Sequence, residues 1–163
     1  MNYHNITKDD MRNGEGLRVV LWVAGCAHRC RECQNPITWD PDGGLPFTDR
    51  EREEIFRELE KDYVSGITFS GGDPLYPSNV PEVTELARTI RKRYPDKTIW
   101  LYTGYLWEEI SDMEITQYLD VVVDGEFVLK YKELLLHWKG SSNQRVIRVP
   151  ETLKTGKVVL YQD

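Results

Sequence analysis

Three cysteines stand within eight residues as Cys26-x3-Cys30-x2-Cys33, and they are the only cysteines of the 163-residue chain. Thiolate sulfur is a soft ligand that selects iron–sulfur clusters, zinc or Cu(I). A [4Fe–4S] cube normally takes four such ligands, so a set of three leaves one iron open to a substrate. An open position marks a reacting metal centre, whereas a closed tetrahedral set marks a structural one. His28, between the first two cysteines, offers a competing reading: a Cys3His zinc site in an interaction module without catalysis. For that, His28 must fold back on a metal already gripped by Cys26 and Cys30, and His4 and His137 are remote in sequence.

The elements that must position these sulfurs alternate between β-rich apolar runs and amphipathic stretches, the pattern of an α/β domain with a mainly parallel sheet. A first strand is predicted over Leu17 to Ala24, fed by the turn Asn13-Gly14-Glu15-Gly16 and ending at the cysteines. Thr48 with Glu51 forms a capping box for a helix to about Asp62, with Ile55, Phe56 and Leu59 on its buried face. Gly66 to Ser70 reads as a second strand ending in Gly71-Gly72-Asp73-Pro74. After Ser78-Asn79, Val83, Leu86, Ala87, Ile90 and Tyr94 recur at helical spacing until Pro95. Thr98 to Tyr102 is a third strand, Leu106 to Tyr118 a helix and Leu119 to Val123 a fourth strand; Arg145 to Val149 and Lys157 to Tyr161 are further β-rich runs. The four strands end in the cysteine loop, Gly-Gly-Asp-Pro, Thr103-Gly104 and Asp124-Gly125. Ligands of parallel α/β sheets bind at the carboxyl ends of the strands, so these turns are expected to line one site.

The length suits a single domain with one core, residues 1–163. The longest apolar run, Val19 to Ala24, is far shorter than the roughly 20 residues of a membrane-spanning helix. The start MNYHNITKDD does not resemble a signal peptide, so a cytoplasmic protein is expected, and closely spaced odd cysteines in a reducing compartment argue for metal binding over disulfides. A net charge of −6 argues against nucleic acid as a partner. The segment 128–158 is the exception: Lys130, Lys132, Lys139, Arg145, Arg148, Lys154 and Lys157 stand against Glu133 and Glu151 alone. That segment is either a solvated surface or a partner-docking region for an acidic protein, with Lys139 and Arg145 as candidates. The five tryptophans are expected in packing roles, with Trp39, just past the cysteine loop, the candidate for shielding the site from water.

Cys26-x3-Cys30-x2-Cys33 resembles the signature of the radical S-adenosylmethionine (SAM) enzymes, in which three cysteines hold a [4Fe–4S] cluster and SAM takes the fourth iron. Ser70-Gly71-Gly72-Asp73-Pro74 is similar to the glycine pair and acid with which that superfamily binds the methionyl amino group. Two motifs in the right order, each at a strand's end, are far more specific than either alone. Within the superfamily the chain resembles the activating enzymes of the anaerobic ribonucleoside-triphosphate reductases, along nearly its whole length. The resemblance runs from Met1-Asn2-Tyr3-His4 and Asn13-Gly14-Glu15-Gly16 through Asn35-Pro36-Ile37-Thr38-Trp39 to Thr103-Gly104-Tyr105, Val123-Asp124-Gly125 and Gly140-Ser141-Ser142-Asn143-Gln144. One position departs from it: the superfamily often has an aromatic residue just before the third cysteine, and here that residue is Glu32.

The resemblance implies an incomplete (βα) barrel of radical SAM type, with Cys26, Cys30 and Cys33 as ligands of one [4Fe–4S] cluster per chain. It implies SAM as co-substrate, bound at Gly71, Gly72, Asp73 and Thr103, with Glu32, Cys33 and Gln34 as candidates on the adenine side. No side chain is implied as a catalytic acid or base. The implied substrate is a glycine in the large subunit of the anaerobic (class III) ribonucleotide reductase, which becomes a glycyl radical, and the implied electron donor is a small flavoprotein. An incomplete barrel leaves a side open for a peptide, since a full one takes about 250 residues. Gly140 to Gln144 is read either as part of the docking region or as a loop whose polar side chains satisfy the backbone. Another small radical SAM enzyme, acting on a different glycyl-radical enzyme or a small molecule, is the nearest alternative. The oligomeric state stays open, a homodimer included.

Overall fold

The computed structural model describes residues 1–33 and 35–161. In chain order the regular elements are β1 (Asn2–Asp10), β2 (Leu17–Val23), β3 (Leu45–Pro46), α1 (Asp49–Leu59), β4 (Val64–Gly71) and α2 (Val80–Arg93). They continue with β5 (Thr98–Tyr102), α3 (Trp107–Ile110), β6 (Val121–Asp124), β7 (Arg145–Arg148) and α4 (Val149–Thr155). The seven strands form one mixed sheet in the order β3-β1-β2-β4-β5-β6-β7, which is not closed. Its centre, β2-β4-β5-β6, is parallel, and antiparallel pairs flank it: β1 with β2 and β3, and β6 with β7.

The period-2 geometry of the strands sorts their side chains onto two faces. Val19, Leu21 and Val23 of β2, Ile67 and Phe69 of β4, Ile99 and Leu101 of β5 and Val122 of β6 enter the main core. There they meet Ile55, Phe56 and Leu59 of α1 and Val83, Leu86, Ala87 and Ile90 of α2. The alternate residues face the other way: Trp100, Val121 and Val123 form a smaller cluster with Tyr102, Trp138, Val146 and Tyr161. Arg18, fully buried, binds this second face at the amino ends of the strands. Its guanidinium donates to Thr68 Oγ1, Ile67 O, Thr98 O, Thr98 Oγ1 and Glu15 O at 2.8–2.9 Å. Burial without a carboxylate partner lowers its pKa to about 10.

The four anticipated strands, the run Arg145 to Val149 as β7 and the first two helices are present, with the capping box of Thr48 and Glu51 at the start of α1. Strand β3 and helix α4 are absent from the sequence-based expectations, and three further features differ. Strand β1 lies in the polar amino-terminal segment, where half-exposure of nearly every residue erases the alternation that flags a strand. The helix expected over Leu106 to Tyr118 is broken into α3 and a 3-10 turn at Glu114–Tyr118, with Ser111, Asp112 and Met113 between them. Ser and Asp compete with the helix for backbone hydrogen bonds, and the break lets Trp107 and Ile115 both reach the core. The run Lys157 to Tyr161 makes one bridge, Ile147 with Leu160, and no extended ladder. No helix among the described residues is long and apolar enough to cross a membrane.

Candidate metal and cofactor site

The cysteine loop leaves β2 through Ala24 and Gly25 and is tied down at its root. Gly25 N donates to Thr38 O at 2.7 Å and Cys26 N to Trp39 O at 3.1 Å, which fastens the loop to the turn after it. Asp73 N donates to Gly25 O at 2.7 Å and Asn79 Nδ2 to Ala24 O at 2.8 Å, which fastens it to the end of β4. The glycine pair is required by this crossing. A Cβ on Gly72 would lie 2.5 Å from Gly25 O and 2.7 Å from Thr38 O, both main-chain atoms, and Gly71 adopts φ +114° against the backbone of Val23. Beyond the root the loop has no ladder, and Arg29 and Glu32 take left-handed φ of 50° and 61°.

Cys26, Cys30 and Cys33 line one cavity of about 530 Å³, together with Gly71, Gly72, Asp73 and Thr103. That volume suits a small-molecule site. The sequence-based expectation that the strand ends share one site therefore holds in space for the cysteine loop, Gly71–Asp73, Thr103-Gly104 and Gly125. Glu32 is exposed and is not among the cavity's lining residues, and Gln34 lies outside the described residues. Burial raises the Cys26 thiol and pushes Cys30 up to about 11, where the Glu126 carboxylate adds to the effect. Cys30 Sγ lies 3.8 Å from Glu126 Oε2.

Asp73 is 1% exposed and organises the floor of the cavity. Its Oδ2 accepts from Thr103 Oγ1 at 3.0 Å and Gly104 N at 2.9 Å and meets His28 Nε2 at 2.8 Å, while Oδ1 accepts from Leu75 N at 2.9 Å. His28 thus bridges the cysteine loop to this carboxylate; its pKa is raised, first by the hydrogen bond to Asp73. The ring lies so close over Gly104 that any Cβ there would collide with it. Sequence reasoning weighed His28 only as a metal ligand and gave no sign of this bond, since the two residues are 45 positions apart. Among the other residues missed are Asn13, Trp22, Tyr102 and Trp138, which extend the cavity along the second sheet face. The two-residue spacing of Arg18, Val20 and Trp22, and of Trp100 and Tyr102, was the available signal for a face unlike the core.

Two buried donors in the cavity wall have no acceptor among the described residues: Trp39 Nε1 and the Tyr102 hydroxyl. Buried polar groups are nearly always paired, so a wall with orphaned donors fits a ligand rich in acceptor atoms. The donor set fits a cluster as well. Among the described residues no three of His, Cys, Asp and Glu converge as on a single metal ion. A cube that gives each cysteine its own iron needs no such convergence, only sulfurs around one cavity.

The expected docking cations Lys139 and Arg145 are held in internal contacts. Arg145 Nε lies 3.1 Å from Asp124 Oδ1 and its Nη2 2.8 Å from Glu108 Oε1, and Lys139 Nζ donates to Gln144 O at 2.9 Å. Gln144 Oε1 accepts from Gly140 N and Ser141 N, and Asn143 Nδ2 donates to Glu126 O, so the Gly140–Gln144 loop closes on itself and on the cavity rim.

Comparison with known proteins agrees with this chemistry. A family model described as a 4Fe-4S single cluster domain matches residues 12–147. The chain is 45% identical over 148 residues to the anaerobic ribonucleoside-triphosphate reductase-activating protein of Enterobacteria phage T4, covering 90% of this chain and 93% of that one. It is 43% identical over 150 residues to the protein of the same name from Escherichia coli K12, covering 90% and 97% of the two chains, and 38% identical over 152 residues to that of Vibrio cholerae, covering 91% and 98%.

Proposed function

The chain belongs to the family of anaerobic ribonucleoside-triphosphate reductase-activating proteins, and from that premise we propose that it is a radical SAM enzyme that installs the glycyl radical of such a reductase. The observation that carries the reading is the meeting of three cysteines with Gly71, Gly72 and Asp73 in one cavity at the carboxyl end of a parallel sheet. On this reading residues 1–163 are one radical SAM domain, and the open mixed sheet is an incomplete barrel whose second face admits the substrate peptide.

Cys26, Cys30 and Cys33 hold a [4Fe–4S] cluster as thiolates. Burial raises both the Cys26 and the Cys30 thiol, so binding them as thiolates would release protons to solvent. When bound and reduced, such a cluster would supply one electron for the cleavage of SAM to methionine and a 5′-deoxyadenosyl radical, the species that would take a hydrogen atom from glycine. Around it the protein orients and excludes. Gly71 and Gly72 bring main-chain atoms up to the methionyl end without side chains in the way. Asp73 fixes Thr103 and Gly104 there and keeps acceptor capacity on Oδ1, which binds a single N–H. Cys33 serves the adenine side, and Trp39 closes the cysteine loop against water. The remaining parts of the proposal are a small flavoprotein as electron donor, a cytoplasmic location, and an oligomeric state, monomer or homodimer, that sedimentation would decide.

Anaerobic reconstitution with iron and sulfide, reduction, and assay for 5′-deoxyadenosine test the chemistry. The expected result is SAM cleavage that is lost on replacing any one of Cys26, Cys30 or Cys33 by alanine. Incubation with the reductase large subunit should then give a glycyl radical signal by electron paramagnetic resonance. A colourless protein holding stoichiometric zinc after anaerobic purification would overturn the proposal.

A further inference from the structure

Residues 131–142 form a hairpin beside the cavity that no step of the proposed reaction uses. Its arms pair through Ser142 N to Tyr131 O at 2.9 Å, Glu133 N to Gly140 O at 3.4 Å and the bridge between Lys132 and Ser141. At its tip Leu134 and Leu135 are 88% and 99% exposed. Hairpin tips normally carry Gly, Asn, Asp or Ser, which suit both the turn and water. Two adjacent leucines there do neither. The rest of the hairpin is anchored: Trp138, at φ +65°, packs its ring 4.9 Å from Trp100 and 5.3 Å from Tyr161. The two leucines are therefore held out by a fixed base.

We propose that this hairpin is a docking finger, with Leu134 and Leu135 seating in an apolar groove bordered by carboxylates on the reductase; the inference rests on the function proposed above. Two observations select that occupant. The arm returning from the tip carries Leu136, Trp138 and Lys139 into the cavity wall, so a protein that feeds a glycine segment into the cavity passes the tip first. Exposed Lys130 and Lys132 precede the leucines, with Glu133 as the single carboxylate between, a local positive balance on an acidic protein that steers towards acidic rims. With Lys139 and Arg145 engaged internally, these are the cations left to meet a partner on this arm.

The test compares the reconstituted wild type with Leu134→Ser/Leu135→Ser and Lys130→Glu/Lys132→Glu for binding to the reductase large subunit. Replacing the leucines should raise Kd about 30-fold or more, with cluster absorbance and reductase-free SAM cleavage unchanged. Reversing the lysines should slow association at low ionic strength and converge on wild type near about 0.5 M salt. Wild-type affinity in the serine variant overturns the inference alone, whereas a wild type that binds no reductase overturns the proposed function with it. Two further outcomes also overturn it: a wild-type dimer that the serine substitutions dissolve, or binding to phosphatidylserine vesicles that they abolish, in either case with reductase binding intact.

Discussion

Asp73→Asn is the most discriminating change at the site, because an amide differs from the carboxylate only in charge and in one pair of donors. The amide oxygen can occupy either carboxylate position. With oxygen at Oδ2, it still accepts from Thr103 and Gly104, but the NH2 then faces Leu75 N–H. With oxygen at Oδ1, Leu75 is satisfied, Thr103 can rotate its hydroxyl and His28 can change tautomer, but Gly104 N–H faces a donor. Each orientation strands one buried backbone N–H, at about 1–3 kcal/mol, and weakens the remaining bonds by removing their charge. The expected destabilisation is about 2–4 kcal/mol, which for a domain of this size lowers Tm by about 5–15 °C. Thermal melting of wild type, Asp73→Asn and Asp73→Ala at matched cluster content measures it, with alanine at least as costly because all four donors lose their acceptor. An asparagine variant melting within about 1 °C of wild type would refute the reasoning and make Asp73 a free ligand-binding group.

Gly72→Ala and Gly104→Ala should separate backbone from side-chain crowding. The first forces main-chain atoms of Gly25 and Thr38 apart and should cost about 1–3 kcal/mol and lower iron loading; the second meets only the His28 ring, which can swing away, and should cost less in a parallel melt. Arg18→Ala leaves the acceptors of Ile67, Thr68 and Thr98 without their donor and opens space beneath Trp100, so urea unfolding should show a loss of about 3–5 kcal/mol. Thr48→Ala removes the hydroxyl that donates to Glu51 Oε2 across the start of α1, at a cost of about 1 kcal/mol at neutral pH. The Thr48 hydroxyl holds the Glu51 carboxyl below its ordinary value, so this contribution is present above about pH 4.5 and fades as pH falls through the lowered pKa. Unfolding curves for the pair should draw together in acid.

Much of the sheet was legible because its parallel centre is buried on both faces, which leaves β-rich runs such as Val19 to Val23 and Val121 to Val123 unmistakable. The site was legible where a turn had to carry glycine or sulfur: the cysteine loop, Gly71-Gly72 and Gly104. What could not be read are the pairings across long separations. The bond of His28 to Asp73 spans 45 positions and that of Arg145 to Asp124 spans 21, and neither leaves a local pattern. Arg145 shows the consequence. Its charge pointed to an acidic partner, yet the partner it meets is the buried Asp124 of its own chain, at 0% exposure.

Asp73 and Asp124 share a role that explains how a loop without secondary structure can present three sulfurs. Each stands at the carboxyl end of a parallel strand and accepts main-chain N–H groups: Asp73 from Leu75 in its own turn and Gly104 after β5, Asp124 from Trp107 at the start of α3 and Arg145 at the start of β7. A carboxylate bound to backbone donors fixes a loop more firmly than packing alone, because its bonds are charge-assisted and directional. The loops after β4, β5 and β6 are thereby held before any ligand arrives. The cysteine loop is held at Gly25, Cys26 and His28, and further along Cys30 Sγ lies against Glu126 Oε2. On the proposed reading, coordination therefore meets a rim already built, and its free energy goes to the cluster end of the cavity and not to assembling the cavity itself.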